Sequence, residues 1–185
     1  AYPDRIGLRR KGDAPRWVLS GGKGAAMAQG TALSGARLIV ATDLDGDPRE
    51  AQVRQALAIT EAELREIFAD RIRWLDLCEW SRREGRVLAR RQERFGALVL
   101  ADQPWPDAPP EAMARAAVEG LRQIGLTFTP AARRLRARIE LARAGGEAWP
   151  DCRDEALLAS AEDWLLPHLT KARTEADLRA LDLHD

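Results

Sequence analysis

The stretch AYPDRIGLRRKGDAPRWVLSGGKGAAM, residues 1–27, decides how the rest of the chain is interpreted. It opens with a helix start around Pro3 and a basic run, and continues with a short apolar segment, Arg16–Leu19. The turn from Ser20 to Gly24 joins this segment to a second one, residues 25–27, because glycines supply the positive φ angles of a tight hairpin. The stretch therefore predicts the first hairpin of a small β-structure.

Two more strands and a short helix follow this hairpin. Residues 37–42 (RLIVAT) are rich in branched side chains and end in a turn cluster, and Glu50–Ile59 alternates in polarity. Thr60 and Glu63 have the spacing of a capping box, which predicts a helix over Glu61–Phe68. The alternation places Ala51, Val53, Gln55 and Leu57 on one face of the strand at 50–59. The helix is expected to turn Leu64, Ile67 and Phe68 inward.

The middle of the chain, residues 71–100, predicts a long hairpin. Residues 71–80 and 86–100 both have strand composition, and Gly85 suits a turn position with positive φ. A four-residue loop over 82–85 sets Asp76 opposite Arg91, whereas a two-residue loop sets it opposite Glu93, a disfavoured pair of like charges. The longer loop is therefore predicted.

Prolines and glycines divide the remainder into helices. Four prolines within 102–110 are expected to exclude regular structure and to separate a β-rich half from an α-rich half. Helices are predicted from Pro110 to Gly125, from Thr129 to Gly145, from about 154 to 165, and from Thr174 onward. In the second of these, Leu135, Ile139 and Ala142 are expected to face the core. The fold class is α+β.

Composition limits the kinds of function. A chain of 185 residues with 45% hydrophobic residues can bury a full core, and its 29 basic and 29 acidic side chains cancel. The basic residues prevail up to Thr60 and the acidic ones from Asp151 onward. The two cysteines match no metal-ligand spacing and no long apolar run is present, which favours a reduced cytoplasmic protein without a membrane segment. With only His168 and His184, surface positions are favoured over a zinc site or a Ser/His/Asp triad.

Two motif-like segments are interpreted as turns. A phosphate-binding loop requires Gly-Lys-Ser/Thr at its end, whereas Lys23 is followed by Gly24 and Ala25. The alternating aspartates that begin at Asp43 imitate a calcium loop, but Arg54 stands where its last glutamate ligand is required. No metal site and no catalytic residue is predicted.

Several segments carry a resemblance to a known family. YPDRI at 2–6, followed by a basic pair, a strand and a Gly-rich turn, resembles the entry to the small oligonucleotide-binding (OB)-like barrel of DEAH-type helicases. FADRIRW at 68–74, RREGRVLARRQERFGALVL at 82–100 and DEALLASAEDWLLPHL at 154–169 resemble the C-terminal domain of the bacterial HrpB-type helicases. The resemblance covers essentially the whole chain and is specific to the HrpB type in its later part.

The resemblance implies a domain layout. Residues 1–60 would form an OB-like barrel segment, and 61–185 an HrpB-type C-terminal domain with the hairpin at 71–100 and helices from 110 onward. A start at Ala1 without Met, and a last helix that stops soon after it begins, imply part of a longer chain. The motor domains would lie upstream and would hold ATP and Mg²⁺, so that this part would contain no cofactor.

The resemblance also implies a function. A non-catalytic accessory region of an RNA helicase would contact single-stranded nucleic acid weakly, with RNA and DNA both open, and would adjoin its own motor domains. The alternative is a module that docks a protein partner, with tryptophans as anchors. Basic side chains around an OB-like barrel can follow a phosphate backbone, and the second helix carries further arginines. The candidate contacts are Arg5, Arg9, Arg10, Lys11, Arg16, Trp17 and Lys23, with a second patch of Arg133, Arg134, Arg136 and Arg138. The alternative for the first set is that its side chains are solvated and only one or two approach RNA, and for the second patch it is packing against acidic neighbours.

Overall fold

The computed structural model describes residues 2–47 and 49–181. It divides into two compact units, Ala1–Leu75 with Arg91–Gln103, and Asp76–Arg90 with Pro104–Asp185. The division passes through both arms of the long hairpin, so that the hairpin has residues in each unit. The predicted domain boundary after residue 60 stays a prediction.

A closed five-stranded barrel occupies the first unit, as expected from the OB-like resemblance. Its strand order is β1-β2-β3-β5-β4, and only the β3–β5 pair is parallel. The strands are β1 (Ile6–Arg9), β2 (Arg16–Leu19), β3 (Gly24–Ala26), β4 (Leu38–Leu44) and β5 (Glu50–Ile59).

Strand β1 was not predicted, yet it closes the barrel by pairing with both β2 and β4. The sequence expectation stopped at the helix start, which is a 3₁₀ turn over Pro3–Arg5. Four residues are too few for an alternating pattern, and Gly7 within β1 reduces strand propensity. A side chain at position 7 would be tightly packed, because a Cβ atom would lie 3.2 Å from side-chain atoms of Trp17, Leu19 and Ile39.

The barrel core is built around Trp17. Its side chain is fully buried, and its indole N–H donates to the carbonyl oxygen of Ala36 at 3.0 Å. The fully buried neighbours Ala25 and Ala41 are small, which leaves space for the indole ring. A large ring surrounded by small side chains fills the narrow interior of a small barrel.

The face that carries Ala51, Val53, Gln55 and Leu57 is buried only over the first part of β5. Ala51 and Val53 are buried, but Leu57 is 65% exposed and Gln55 is exposed. The pairing of β4 with β5 contains register shifts between Ala41 and Leu44, so strict alternation does not hold along β5.

Helix α1 (Glu61–Phe68) has the predicted bounds and the predicted Thr60–Glu63 capping box. Leu64 is fully buried and Phe68 is partly buried, but Ile67 is 64% exposed. The expectation for Ile67 is wrong because Leu64 and Phe68, four residues apart, define the inward face, and Ile67 lies beside it.

The hairpin forms a three-stranded sheet of order β6-β7-β8, with β6 (Ile72–Ser81), β7 (Arg86–Phe95) and β8 (Leu98–Pro104). The four-residue loop over 82–85 is confirmed by the strand ends, and Gly85 has φ +59°. The single strand predicted over 86–100 is wrong, because Gly96 at φ +56° turns the chain. Strand β8 also extends into the proline cluster, which an edge strand tolerates.

Five α-helices lie in the part of the second unit that the structure describes, up to residue 181. They are α2 (Pro110–Ile124), α3 (Pro130–Ala144), α4 (Asp154–Ala159), α5 (Ala161–Trp164) and α6 (Glu175–Arg179), and the N-cap of α6 is a capping box at Thr174. The core combines Trp80 and Val87 with α2 and the segments from α5 to α6. The helix predicted over 154–165 is interrupted at Ser160, whose hydroxyl donates to the carbonyl oxygen of Ala156.

The burial of helix α3 also differs from the prediction. Its bounds and its Thr129 cap match the prediction, but it has no buried residue. Leu135, expected to face the core, is 57% exposed, and Ile139 and Ala142 are only half-buried.

Candidate nucleic-acid interface

A groove of about 700 Å³ lies in the first unit, lined by the end of β1 and by strand β8. Arg9, Arg10, Lys11 and Arg37 supply positive charge along it. Its apolar lining includes Leu8, Val18, Leu98 and Leu100. Asp102 is the acidic residue among the lining side chains, so the groove has an excess of positive charge.

Arg9 shapes the loop that follows β1. Its guanidinium donates to the carbonyl oxygens of Ser34 at 2.9 Å, Gly12 at 3.2 Å and Asp13 at 3.3 Å. Its hydrogen-bonding groups are therefore largely used within the protein. Its charge still contributes to the potential of the groove.

Arg10 and Lys11 are the exposed cations of this loop. The structure shows no ion pair for either of them among the described residues, so both are free to meet an anion. Because Arg9 fixes the loop, these two side chains project from a defined backbone.

Arg37 is a groove residue that sequence reasoning missed. Its Nη2 donates to the carbonyl oxygen of Leu100 at 3.3 Å and lies 3.2 Å from Glu61 Oε2, while 60% of its side chain stays exposed. It stands alone before an apolar strand, so no local pattern marks it. Only the approach of β8 to β4 within the fold assigns it to the groove.

A series of ion pairs links Arg37 through Glu61 and Arg65 to Glu93. Glu61 also pairs with Arg65 at 2.6 Å, and Arg65 donates two hydrogen bonds of 2.7 Å to the two carboxylate oxygens of Glu93. These hydrogen bonds hold the pKa of the nearly buried Glu93 carboxyl below its usual value. The shared carboxylate of Glu61 orients Arg37, since both guanidinium groups must stay within its reach.

Three other predicted cations do not line the groove. Arg5 donates to the carbonyl oxygen of Thr42 at 2.9 Å and lies over the Tyr2 ring. Arg16 pairs with Glu50 at 3.4 Å. Lys23 lies at the end of the Gly-rich turn, where it helps to lower the pKa of Asp47 after the larger effect of two backbone N–H donors.

Trp17 cannot serve as a stacking platform, and its assignment as a contact residue is wrong. Its side chain is fully buried in the barrel core. The sequence signal was a tryptophan within a basic segment, but the alternation of β2 turns this position inward. The groove lining contains no aromatic side chain.

The second predicted patch divides in two on α3. Arg133, Arg134 and Arg138 are exposed. Arg136 is engaged within the protein, with its guanidinium 4.0 Å above the Phe128 ring and hydrogen-bonded to the carbonyl oxygen of Cys152. Much of the hydrogen-bonding capacity of Arg136 is therefore used within the protein, and its assignment as a contact stays a prediction.

The segments interpreted as turns behave as turns. A carboxylate oxygen of Asp45 accepts the backbone N–H of Gln52 in β5, and one of Asp47 accepts the backbone N–H of Arg49. Across residues 2–47 and 49–181, no group of three metal-ligating side chains was found. His168 is exposed as expected, whereas His184 lies outside the described residues.

Two further properties concern the chain as a whole. Both cysteines are free thiols. Among the residues that the structure describes, no helix has the length and apolar character needed to cross a membrane.

Comparison with known proteins points to one helicase group. The family model described as the connector region of the ATP-dependent RNA helicase HrpB matches residues 71–105, which contain the long hairpin. The ATP-dependent RNA helicase HrpB of Escherichia coli (strain K12) is 32% identical over 192 residues, covering 100% of this chain and 24% of that protein.

Two solved structures agree with this similarity. The crystal structure of the E. coli DExH-box NTPase HrpB matches with a TM-score of 0.52 and 32% identity, covering 98% of this chain and 23% of that one. The crystal structure of the Escherichia coli DEAH/RHA helicase HrpB matches with a TM-score of 0.50 and 29% identity over the same shares. The chain thus spans about a quarter of the length of these relatives.

Proposed function

We propose that this chain, which is similar to the HrpB-type helicases over the part of them that it spans, is a non-catalytic accessory region that contacts single-stranded nucleic acid. The observation that carries the proposal is the basic groove beside the barrel, where Arg10 and Lys11 are exposed on a loop fixed by Arg9. Arg37 adds a fourth cation from β4's N-terminal side.

The groove favours contact with phosphates over contact with bases. Four cations are among its lining residues, and the described residues that line it include no aromatic ring on which a base could stack. A phosphate-directed site binds weakly, reads little sequence and loses affinity steeply as salt rises. Such a site suits a surface over which a single strand of nucleic acid passes while the motor domains act on that nucleic acid.

ATP hydrolysis is assigned to the motor domains of the parent protein under this proposal. ATP and Mg²⁺ would bind there, and those domains would be the immediate neighbours of this region. The two free thiols support a reducing compartment, the cytoplasm.

The test is the salt dependence of binding to a fluorescein-labelled single-stranded RNA. Fluorescence anisotropy of the chain with this RNA should show affinity that falls linearly on a log–log plot against salt. The double variant Arg10→Glu/Lys11→Glu should reduce the slope by about 1.4, at about 0.7 for each phosphate contact with a single strand. A DNA strand of the same sequence separates contacts to phosphates from contacts to the 2′-hydroxyl.

The matched control is Arg54→Glu/Lys171→Glu, which changes the net charge equally at two exposed positions outside the groove. It should leave the slope nearly unchanged. Equal losses in both double variants would mean that net charge alone attracts the RNA, and the groove would lose its assignment.

A further inference from the structure

Arg37 is a groove cation whose charge the protein itself partly neutralises. Its Nη2 donates to the carbonyl oxygen of Leu100 at 3.3 Å and lies 3.2 Å from Glu61 Oε2. The contact with Leu100 keeps the guanidinium beside strand β8, in the lining of the groove. The contact with Glu61 places a carboxylate charge directly against a cation that would otherwise act on a ligand with its full charge.

Donor groups of Arg37 stay available for a ligand. A guanidinium carries five N–H donors, and both contacts of Arg37 use Nη2. Within residues 2–47 and 49–181, neither Nε nor Nη1 of Arg37 makes a hydrogen bond, and 60% of the side chain is exposed. A phosphate group can therefore bind Arg37 without displacing either contact.

The Glu61 carboxylate is held in place from its other side. Arg65 Nε and Nη2 donate to Glu61 Oε1 at 3.1 and 2.6 Å, and Arg65 is itself held by two hydrogen bonds to Glu93. The cluster of Arg37, Glu61, Arg65 and Glu93 has two cations and two anions, so its formal charge is zero. Because Arg65 anchors Glu61, the carboxylate stays beside Arg37 when a ligand approaches.

We infer that Glu61 restrains the affinity of the groove for phosphate groups, as an internal anion that competes for the charge of Arg37. The inference deepens the proposed function and rests on it for the ligand, a nucleic-acid strand. A phosphate bound to Arg37 is repelled by the Glu61 carboxylate on the far side of the guanidinium, which reduces the free energy gained at this contact. A restrained contact releases a strand readily as the motor domains move it.

The experiment compares Glu61→Gln with the parent in anisotropy titrations against a fluorescein-labelled single-stranded RNA at low salt. Glutamine has nearly the shape of glutamate and carries no charge, so the cluster gains one net positive charge. RNA binding should tighten roughly 3- to 10-fold, the range that Coulomb's law gives for charges about 6 Å apart in a largely aqueous dielectric. The gain should become smaller as the salt concentration rises.

The matched control is Glu66→Gln, which removes the same charge from an exposed position of α1 about 140° around the helix axis from Glu61. Its effect on RNA affinity should stay below about twofold, because water and salt screen a charge outside the groove. A double-mutant cycle with Arg37→Gln tests the route: in that background, Glu61→Gln should tighten binding no more than Glu66→Gln does. Urea titrations of each variant check that differences in RNA affinity do not come from loss of the fold.

A second readout does not depend on RNA. In NMR spectra of arginine Nε–Hε groups, the Arg37 signal, identified by its loss in Arg37→Lys, should respond to inorganic pyrophosphate at lower concentration in Glu61→Gln than in the parent. Equal responses in the two proteins, or RNA affinity that rises no more in Glu61→Gln than in Glu66→Gln, would overturn the inference. Failure of the proposed function has a different signature: RNA binding would be insensitive to Arg10→Glu/Lys11→Glu, while the Arg37 signal would still respond to pyrophosphate at lower concentration in Glu61→Gln.

Discussion

Replacing Gly120 with alanine has two opposite effects on stability: a gain in helix propensity and a steric clash with the Trp80 ring. Gly120 lies within α2, where alanine is favoured over glycine by about 1 kcal/mol in an exposed helix. Here the glycine is buried against the Trp80 ring. A Cβ atom at this position would stand 2.5 Å from Trp80 Cδ2 and 2.6 Å from Cε3. Carbon atoms in contact normally lie about 3.5–4.0 Å apart, so the ring or the helix must move by about 1 Å.

That movement is costly because Trp80 is itself part of the core. The ring is 8% exposed and belongs to the same cluster as Val118 and Leu121. Overpacking a close-packed core costs about 1–3 kcal/mol, and a rigid ring places this case at the upper end. Subtracting the helix gain of about 1 kcal/mol leaves a net destabilisation of about 2 kcal/mol.

Urea titrations followed by circular dichroism measure the free energy of unfolding of Gly120→Ala and of the unchanged protein. A double-mutant cycle with Trp80→Leu isolates the contact, since the smaller side chain leaves space for the new methyl group. In the Trp80→Leu background, Gly120→Ala should be neutral or stabilising by up to about 1 kcal/mol. A Gly120→Ala protein that is more stable than the unchanged one would refute the packing argument.

Two further predictions concern the first unit. Glu93→Gln should cost about 1–3 kcal/mol at neutral pH, because the charged hydrogen bonds from Arg65 are lost. The pKa of Glu93 is lowered in the folded state. Its contribution to the free energy of unfolding is therefore full above the unfolded pKa near 4.3 and disappears as the pH falls through the folded pKa. Urea titrations at neutral and acid pH should show the difference in unfolding free energy between Glu93→Gln and the parent becoming smaller at acid pH. Gly96→Ala should destabilise by about 2 kcal/mol or more, because alanine is strained at φ +56° and its methyl group would meet the Ser20 carbonyl oxygen; a melting temperature equal to that of the parent would contradict this.

The parts of the fold that were predictable are those encoded by neighbouring residues. The Thr60–Glu63 box, the Pro110 start of α2 and the Thr129 cap of α3 each act within one helical turn, and the structure confirms all three helix starts. The four-residue hairpin loop was chosen over a two-residue loop from the charge of the residue that would face Asp76, and the strand ends at Ser81 and Arg86 confirm it. Backbone hydrogen-bonding requirements at helix ends do not depend on the remainder of the protein.

The errors occur where distant residues decide the outcome. Strand β1 forms because β2 and β4 offer it two edges, not because four residues have strand propensity. Helix α3 has an apolar stripe that predicts burial, but Leu135 is 57% exposed. A pattern states which face can be buried, and only the packing of the other elements states whether it is.

The same reasoning applies to the candidate site and explains why counting basic residues located only part of it. A cation can contact a ligand only if the protein has not already used it, and Arg9 and Arg136 are used by backbone carbonyls of their own unit. Arg10 and Lys11 are also basic and directly follow Arg9 in the sequence, yet their side chains stay available for a ligand. Arg37 joins them because β8 lies beside it. The charge that a ligand can meet is therefore carried by the side chains that are not paired within the protein. A chain whose formal charges cancel can still present a basic groove.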